Sequence, residues 1–84
     1  MLQTSVSDIT LAALESLTRT DEVRQNLDLD LFETDLLDSF NVVQLLVLLD
    51  DRLAIQLSPA EFDRDEWATP RKIIARLEAR LASA

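Results

Sequence analysis

The stretch FETDLLDSFNVVQLLVLLDDRL, residues 32–53, decides how this chain folds. From about Ser39 to Leu53 its apolar residues recur with the period of an α-helix, so it predicts a helix over those residues. One set has the spacing i, i+3, i+4, i+7 and i+11, which is typical of a face packed on a core. That set is Val42, Leu45, Leu46, Leu49 and Leu53.

A second apolar stripe lies on the same helix, rotated away from the core face. It consists of Phe40, Val43 and Val47, at the spacing i, i+3 and i+7. On one interpretation, the helix is central in the domain and is buried nearly all round. On the other, the second stripe stays partly exposed beside the helix start and serves as a docking surface for partner proteins.

Asp38 and Ser39 stand side by side where this helix begins, and either residue could cap it. If Asp38 is the N-cap, its carboxylate accepts free N–H groups of the first turn and suits the positive end of the helix dipole. The Ser39 hydroxyl then points outward, unused. It is well placed to carry a phosphate ester, because a helix N-terminus favours a nearby anion, although the charge of Asp38 partly opposes this. The plain alternative is that Ser39 is a redundant capping residue.

A first helix is predicted near the beginning of the sequence. Ser5 or Ser7 could cap it, and residues 18–20 are a plausible end. The following stretch TDEVRQN, residues 20–26, is compatible with a short helical turn. The predicted buried face of the first helix is Leu2, Val6, Ile9, Ala13 and Leu17.

Residues 27–37 are predicted to form a long ordered loop. The run LDLDLFETDLL alternates leucine and aspartate as a strand does, but the sequence offers no second strand to pair with it. A lone strand is not stable, so a loop is the better interpretation. The side chains expected to reach the core are Leu29, Leu31, Phe32 and Leu36.

Two capping signals predict the remaining helices. SPAEF, residues 58–62, opens a short helix with Ser58 as N-cap, Pro59 at the first helical position and Glu61 completing a capping box. TPRKIIARLEARL, residues 69–81, opens the last helix with Thr69 as cap and Pro70 at its first position. The buried stripe of that helix is predicted to be Ile73, Ile74, Leu77 and Leu81.

These elements predict an all-α chain, a small irregular four-helix bundle with a long loop between its first two long helices. The length of 84 residues fits a single domain, residues 1–84. The sequence has no cysteine, histidine or glycine. This excludes disulfides, a Ser-His-Asp triad, the commonest zinc ligands and a glycine-rich phosphate loop. Neither catalytic nor metal-binding residues are predicted.

The charge is strongly acidic and uneven. The net charge is −8, and residues 21–66 hold 13 acids and 3 bases. Nucleic acid is therefore not an expected partner. The acidic region could steer a basic partner or simply be a solvated face. The longest apolar run, residues 45–49, is too short for a membrane span, and no signal peptide is visible, so we expect a cytoplasmic protein.

The run LLDSFNVVQLLVLLDDRL, residues 36–53, resembles the acyl and peptidyl carrier protein family. The family pattern is Asp-Ser, a large apolar residue and an apolar helix that ends in acids. LFETDLLDSF and FDRDEWATP further resemble the D-alanyl carrier branch, which serves D-alanylation of teichoic acids. The family pattern is matched at Asp38, Ser39, Phe40, Val43, Leu45, Leu46, Leu49, Asp50 and Asp51.

The resemblance implies that Ser39 receives 4′-phosphopantetheine from coenzyme A, with Asp38 as the helix cap beside it. The terminal thiol of this arm would hold the cargo, D-alanine, as a thioester, so the chain would be a carrier and not an enzyme. The implied partners are a phosphopantetheinyl transferase, an ATP-dependent ligase that activates D-alanine and a membrane acyltransferase. A carrier that visits several partners is expected to be a monomer. The expected partner-binding residues are Phe40, Val43, Val47, Asp50 and Asp51.

Two residues near Ser39 depart from the family pattern. Asn41 stands where fatty-acid carriers have an acid and the D-alanyl branch a small residue, and Gln44 replaces a common acid. Docking is therefore expected to depend on the apolar stripe more than on salt bridges. A carrier for another amino acid or acyl group, and an unmodified helical interaction module, are the alternatives. Trp67 is expected to anchor the segment before the last helix in the core, with a partner contact as the alternative.

Overall fold

The computed structural model describes residues 5–57 and 63–82, and the regular secondary structure in these residues is entirely helical. The helices are α1 Val6–Thr18, α2 Glu22–Gln25, α3 Asn41–Leu53 and α4 Pro70–Ala82. The predicted all-α class is thereby confirmed. The predicted short helix at residues 58–62 lies outside the described residues.

Helix α1 is bounded by the signals that the sequence contains. Ser5 has an extended backbone, and its Oγ accepts the N–H of Asp8 at 3.1 Å, so Ser5 is the N-cap. At the other end Arg19 adopts a left-handed conformation with φ 61°, and its N–H donates to the carbonyl of Glu15 at 2.8 Å. This closes the helix as an αL cap does, although the residue is not glycine.

The buried face of α1 is rotated from the predicted one. Helix α1 contacts both α3 and α4, so the side chains between these two helices are buried, and the predicted arc lies at the edge of this face. Of the predicted residues, Ala13 is buried, Val6, Ile9 and Leu17 are partly buried, and Leu2 lies outside the described residues. The residues at the centre of the buried face are Thr10, Leu11, Ala13 and Leu14.

Helices α3 and α4 bury the faces that their sequences predict. Thr69 Oγ1 accepts the N–H of Lys72 at 3.2 Å, so Thr69 is the N-cap of α4, as predicted. Each large aliphatic side chain buried in this core stabilises the fold by about 1.5–3 kcal/mol. The predicted residues Leu53 and Leu81 are only partly buried. The buried residues are Val42, Leu45, Leu46 and Leu49 in α3, and Pro70, Ile73, Ile74 and Leu77 in α4.

The long loop is ordered, and its apolar side chains reach the core. Leu31 and Phe32 are buried, as predicted, whereas Leu29 and Leu36 are only partly buried. Leu37 was not predicted to be buried, yet only 1% of its surface is exposed. Leu37 thus fixes the chain in the core immediately before α3 begins.

The segment between residues 63 and 69 packs against this loop. Trp67 is buried, so its predicted role as a core anchor is confirmed. The guanidinium carbon of Arg64 lies 4.6 Å from the centre of the Phe32 ring, within the range of a cation–π contact. Among residues 5–57 and 63–82, none of the helices combines the length and the apolar character that crossing a membrane requires.

Candidate functional site

Asp38 supplies the contacts of an N-cap at the start of α3. Its Oδ1 accepts the N–H groups of Phe40 and Asn41, both at 2.9 Å. Its carbonyl accepts the N–H of Val42 at 3.0 Å, the first hydrogen bond of helical spacing. The regular helix begins at Asn41, but its hydrogen bonding therefore reaches back to Asp38.

Asn41 returns a hydrogen bond to the residue that caps it. Its Oδ1 accepts the backbone N–H of Asp38 at 2.7 Å, and its Nδ2 donates to the carbonyl of Leu36 at 3.0 Å. The exchange between Asp38 and Asn41 has the geometry of a capping box. This role of Asn41 was not predicted, because its residue type indicated only a reduced charge on the helix face near Ser39. The signal was present, because a hydrogen-bonding side chain three residues after the cap is the mark of a capping box.

Ser39 lies inside this turn with its side chain exposed. Its hydroxyl makes no hydrogen bond to any residue in the described part of the chain. Ser5 provides a direct contrast, because its hydroxyl is engaged in capping α1. At α3 the carboxylate of Asp38 does the capping, and the hydroxyl of Ser39 remains open to reaction.

The second apolar stripe of α3 is exposed beside Ser39. Phe40 is 73% exposed, Val43 48% and Val47 64%. The interpretation that this helix is buried nearly all round is therefore wrong. No charged residue occurs from Ser39 to Leu49, so this surface is apolar and uncharged.

The two acids that follow the stripe differ in their surroundings. Asp51 is exposed. Asp50 is partly buried, and its Oδ2 accepts the N–H of Leu57 at 3.3 Å. The carboxylate of Asp50 is thus already engaged within the chain, whereas that of Asp51 faces solvent.

Comparison with known proteins gives one consistent result. A family model described as a phosphopantetheine attachment site matches residues 8–77. The D-alanyl carrier protein of Listeria monocytogenes serotype 4a (strain HCC23) is 55% identical over 69 residues, which cover 82% of this chain and 88% of that protein. The D-alanyl carrier protein of Bacillus mycoides (strain KBAB4) is 53% identical over 68 residues, which cover 81% and 86%.

The match to the family model extends over most of α1 and most of α4, with the Asp38–Ser39 turn between them. The cofactor of such a domain is 4′-phosphopantetheine, and the domain itself is a carrier subunit without catalytic activity. A carrier of this kind interacts with a phosphopantetheinyl transferase and with a ligase. By its fold and by these matches, the chain belongs to the phosphopantetheine carrier family, in the branch of the D-alanyl carrier proteins.

Proposed function

We propose that Ser39 is the attachment site of 4′-phosphopantetheine, and that the chain carries D-alanine for transfer to teichoic acid or a related cell-envelope polymer. The observation that supports the site is that Ser39 is exposed, and that its hydroxyl bonds to no described residue, beside a cap that Asp38 supplies. The identity of the cargo is proposed from the names of the relatives in Listeria and Bacillus.

The surroundings of Ser39 fit a covalently attached phosphodiester. Attachment would break no hydrogen bond of this hydroxyl within the described part of the chain. The start of α3 favours an anion through the helix dipole. The carboxylate of Asp38 opposes the anion less than a free carboxylate would, because two backbone N–H groups bind it at 2.9 Å.

In the attachment step, Ser39 Oγ attacks the β-phosphorus of coenzyme A. The new Oγ–P bond forms as the bond to adenosine 3′,5′-bisphosphate breaks, and the hydroxyl proton passes to a base. We assign that base to the transferase, because this chain has no histidine and no side chain in its described part is hydrogen-bonded to the Ser39 hydroxyl. When attached, the group supplies a terminal thiol that holds the cargo as a thioester, which a chain without cysteine could not provide.

The exposed stripe of Phe40, Val43 and Val47 is the proposed docking surface for the transferase, the ligase and a membrane acyltransferase. Its exposure and its position on the turns that follow Ser39 support this role. Asp51 adds a solvent-facing charge at the far end, and Asp50 is a weaker candidate because it bonds to Leu57. We further propose a monomer with one domain over residues 1–84, loaded in the cytoplasm, where coenzyme A and ATP are made.

Intact mass spectrometry tests the attachment site. The parent, Ser39→Ala and Ser5→Ala are each incubated with coenzyme A and a broad-specificity phosphopantetheinyl transferase. We expect one added phosphopantetheine on the parent and on Ser5→Ala, and none on Ser39→Ala. An unmodified parent, with the transferase active on a known carrier, would contradict the proposal and favour an unmodified interaction module.

Loading trials then test the cargo. The modified parent is offered D-alanine, L-alanine and a fatty acyl group, each with its activating ligase and ATP. Thioester formation with D-alanine in preference to the other two supports the proposal. Preferential loading of another amino acid or of an acyl group would support the carrier function but contradict D-alanine as its cargo.

A further inference from the structure

We infer that Asn41 is a positioning residue for the attachment reaction, because its side-chain amide fixes the turn that presents the Ser39 hydroxyl. This inference rests on the proposed attachment at Ser39. It gives Asn41 a role that depends on hydrogen bonds and not on charge, in a position where the resemblance pointed to an acid in fatty-acid carriers and to a small residue in the D-alanyl branch.

The hydrogen bonds of Asn41 link it to Asp38, so they join the residues on either side of Ser39 in the sequence. The backbone N–H of Asn41 donates to Asp38 Oδ1 at 2.9 Å, and Asn41 Oδ1 accepts the N–H of Asp38 at 2.7 Å. The two residues are thus joined twice, with Ser39 and Phe40 between them. The backbone of Ser39 is held by its neighbours, although its own side chain bonds to no described residue.

A third hydrogen bond ties this turn to the core. Asn41 Nδ2 donates to the carbonyl of Leu36 at 3.0 Å. The next residue, Leu37, is buried, and its N–H donates to the carbonyl of Leu31 at 2.8 Å. The amide of Asn41 therefore connects the start of α3 to a part of the loop that cannot shift without disturbing the core.

Only a side chain with both a donor and an acceptor can make these contacts. A carboxylate at position 41 could still accept from the N–H of Asp38, but it has no proton to donate to the carbonyl of Leu36. It would also face the carboxylate of Asp38 and that carbonyl, both of which repel a negative charge. Asn41→Asp is therefore a disruptive change here, even though acids are common at this position in related carriers.

Gln44 offers a matched control on the same helix. It is an exposed amide three residues further along, and its side chain makes no hydrogen bond to a described residue. Gln44→Asp introduces the same charge as Asn41→Asp, within one helical turn, and leaves the turn around Ser39 intact. The pair separates an effect of charge from an effect of the hydrogen bonds.

The expected kinetic signature is a lower kcat with little change in KM. Val43 and Val47 of the docking stripe lie outside the turn that Asn41 closes, so we expect most of the binding of the transferase to be retained. The hydroxyl is held less well, and misplacing a reacting group by about 1 Å can cost roughly 10²-fold in rate. We therefore expect kcat for attachment to fall by about tenfold or more in Asn41→Ala and Asn41→Asp.

The test measures steady-state phosphopantetheinylation of the parent, Asn41→Ala, Asn41→Asp, Gln44→Ala and Gln44→Asp. Amide hydrogen exchange of Asp38 provides a readout independent of the reaction, and it should accelerate in Asn41→Ala, which removes the acceptor of this N–H, but in neither Gln44 variant. Circular dichroism checks that each variant is folded. If Asn41→Ala does not fold, Asn41→Ser takes its place, because the shorter side chain cannot reach Leu36 but leaves a hydroxyl near the N–H of Asp38.

The outcomes separate this inference from the proposal on which it rests. If the parent itself is not phosphopantetheinylated, attachment at Ser39 is contradicted, and so is the positioning role of Asn41. If the parent reacts normally and the Asn41 variants keep its kcat, only the positioning role is overturned. Equal effects of Asn41→Asp and Gln44→Asp, or a change in KM alone, would also overturn it.

Discussion

Arg71 reaches back from the first turn of α4 to Asp28, with Nε 2.8 Å from Oδ1 and Nη2 3.4 Å from Oδ2. The backbone N–H of Arg71 also donates to the carbonyl of Leu27 at 3.0 Å. Both side chains are well exposed, so water screens the charges, and the ion pair adds little stability. The ion pair instead fixes the position of the start of the long loop, residues 27–37, relative to α4.

The pair predicts a specific dependence of stability on pH. The hydrogen bond from Arg71, followed by its charge, holds the pKa of Asp28 below its ordinary value of 3.8. Since the folded pKa is the lower one, the contribution is complete above the unfolded pKa and is lost as pH falls through the folded pKa. We expect a small difference in unfolding free energy between the parent and Asp28→Asn that is constant near neutral pH and disappears as pH falls through the folded pKa of Asp28.

Denaturant unfolding at a series of pH values measures this difference. Glu33→Gln is the control, because Glu33 is an exposed loop carboxylate without an ion pair in the described part of the chain. A difference for Asp28→Asn that persisted in strong acid would contradict the prediction.

The capping role of Asp38 can be tested separately from the carrying role that we propose for Ser39. Asp38→Ala removes the acceptor of two backbone N–H groups and should lower the unfolding free energy by about 1 kcal/mol. Ser39→Ala removes an exposed hydroxyl that bonds to no described residue, so it should change stability by less than about 0.5 kcal/mol. Thermal and denaturant unfolding of the two variants test this. A larger loss for Ser39→Ala than for Asp38→Ala would show that the serine is the cap.

Thr10 is a polar residue in an apolar environment. It is fully buried in α1, and its hydroxyl has no hydrogen-bond partner among the residues that the structure describes. Such a group costs about 1–3 kcal/mol, so Thr10→Val, which keeps the shape, should raise the unfolding free energy by about 1 kcal/mol. Thr18→Val is the control, because the Thr18 hydroxyl donates to the carbonyl of Leu14 at 2.7 Å. Equal effects of the two substitutions in chemical denaturation would refute the argument.

Ala54 ends α3 in a left-handed conformation, with φ 56° and ψ 42°. An L-residue pays roughly 1–2 kcal/mol for this conformation, whereas glycine adopts it freely. Ala54→Gly should therefore stabilise the chain by about 1 kcal/mol. Ala75→Gly, at an exposed position inside α4, should destabilise it by about the same amount. Melting temperatures that moved in the same direction for both variants would be inconsistent with this prediction.

The parts of the fold that follow from local signals could be predicted from the sequence. The caps at Ser5 and Thr69 depend on neighbouring residues alone, and the structure has both. The burial of Thr10 and Leu37 could not be predicted, because it depends on how the helices and the loop pack against one another. The left-handed conformation of Ala54 was also hidden, since a chain without glycine gives no marker for it.

The candidate site was predictable to a different degree. That Asp38 caps α3 could be predicted from the preference of helix starts for such residues, and the structure has this cap. Attachment at Ser39 was implied by the resemblance and stays a prediction. Exposure of the second stripe of α3 could not be predicted, because it depends on where the neighbouring helices pack against α3. The role of Asn41 could have been predicted from a local signal, because an amide side chain three residues after the N-cap can return a hydrogen bond to that residue.

If Ser39 bears the arm, as proposed, the lack of a hydrogen bond from its hydroxyl to any described residue has a consequence for the partners of the carrier. A modification that replaces no internal contact leaves the folded chain nearly the same before and after. An enzyme that binds only the helices then receives no information about whether the carrier is empty or charged. Such an enzyme must therefore contact the arm or its cargo directly. The order in which the partner enzymes bind is then set by recognition of the arm's thiol end and its cargo, and not by the shape of the folded chain.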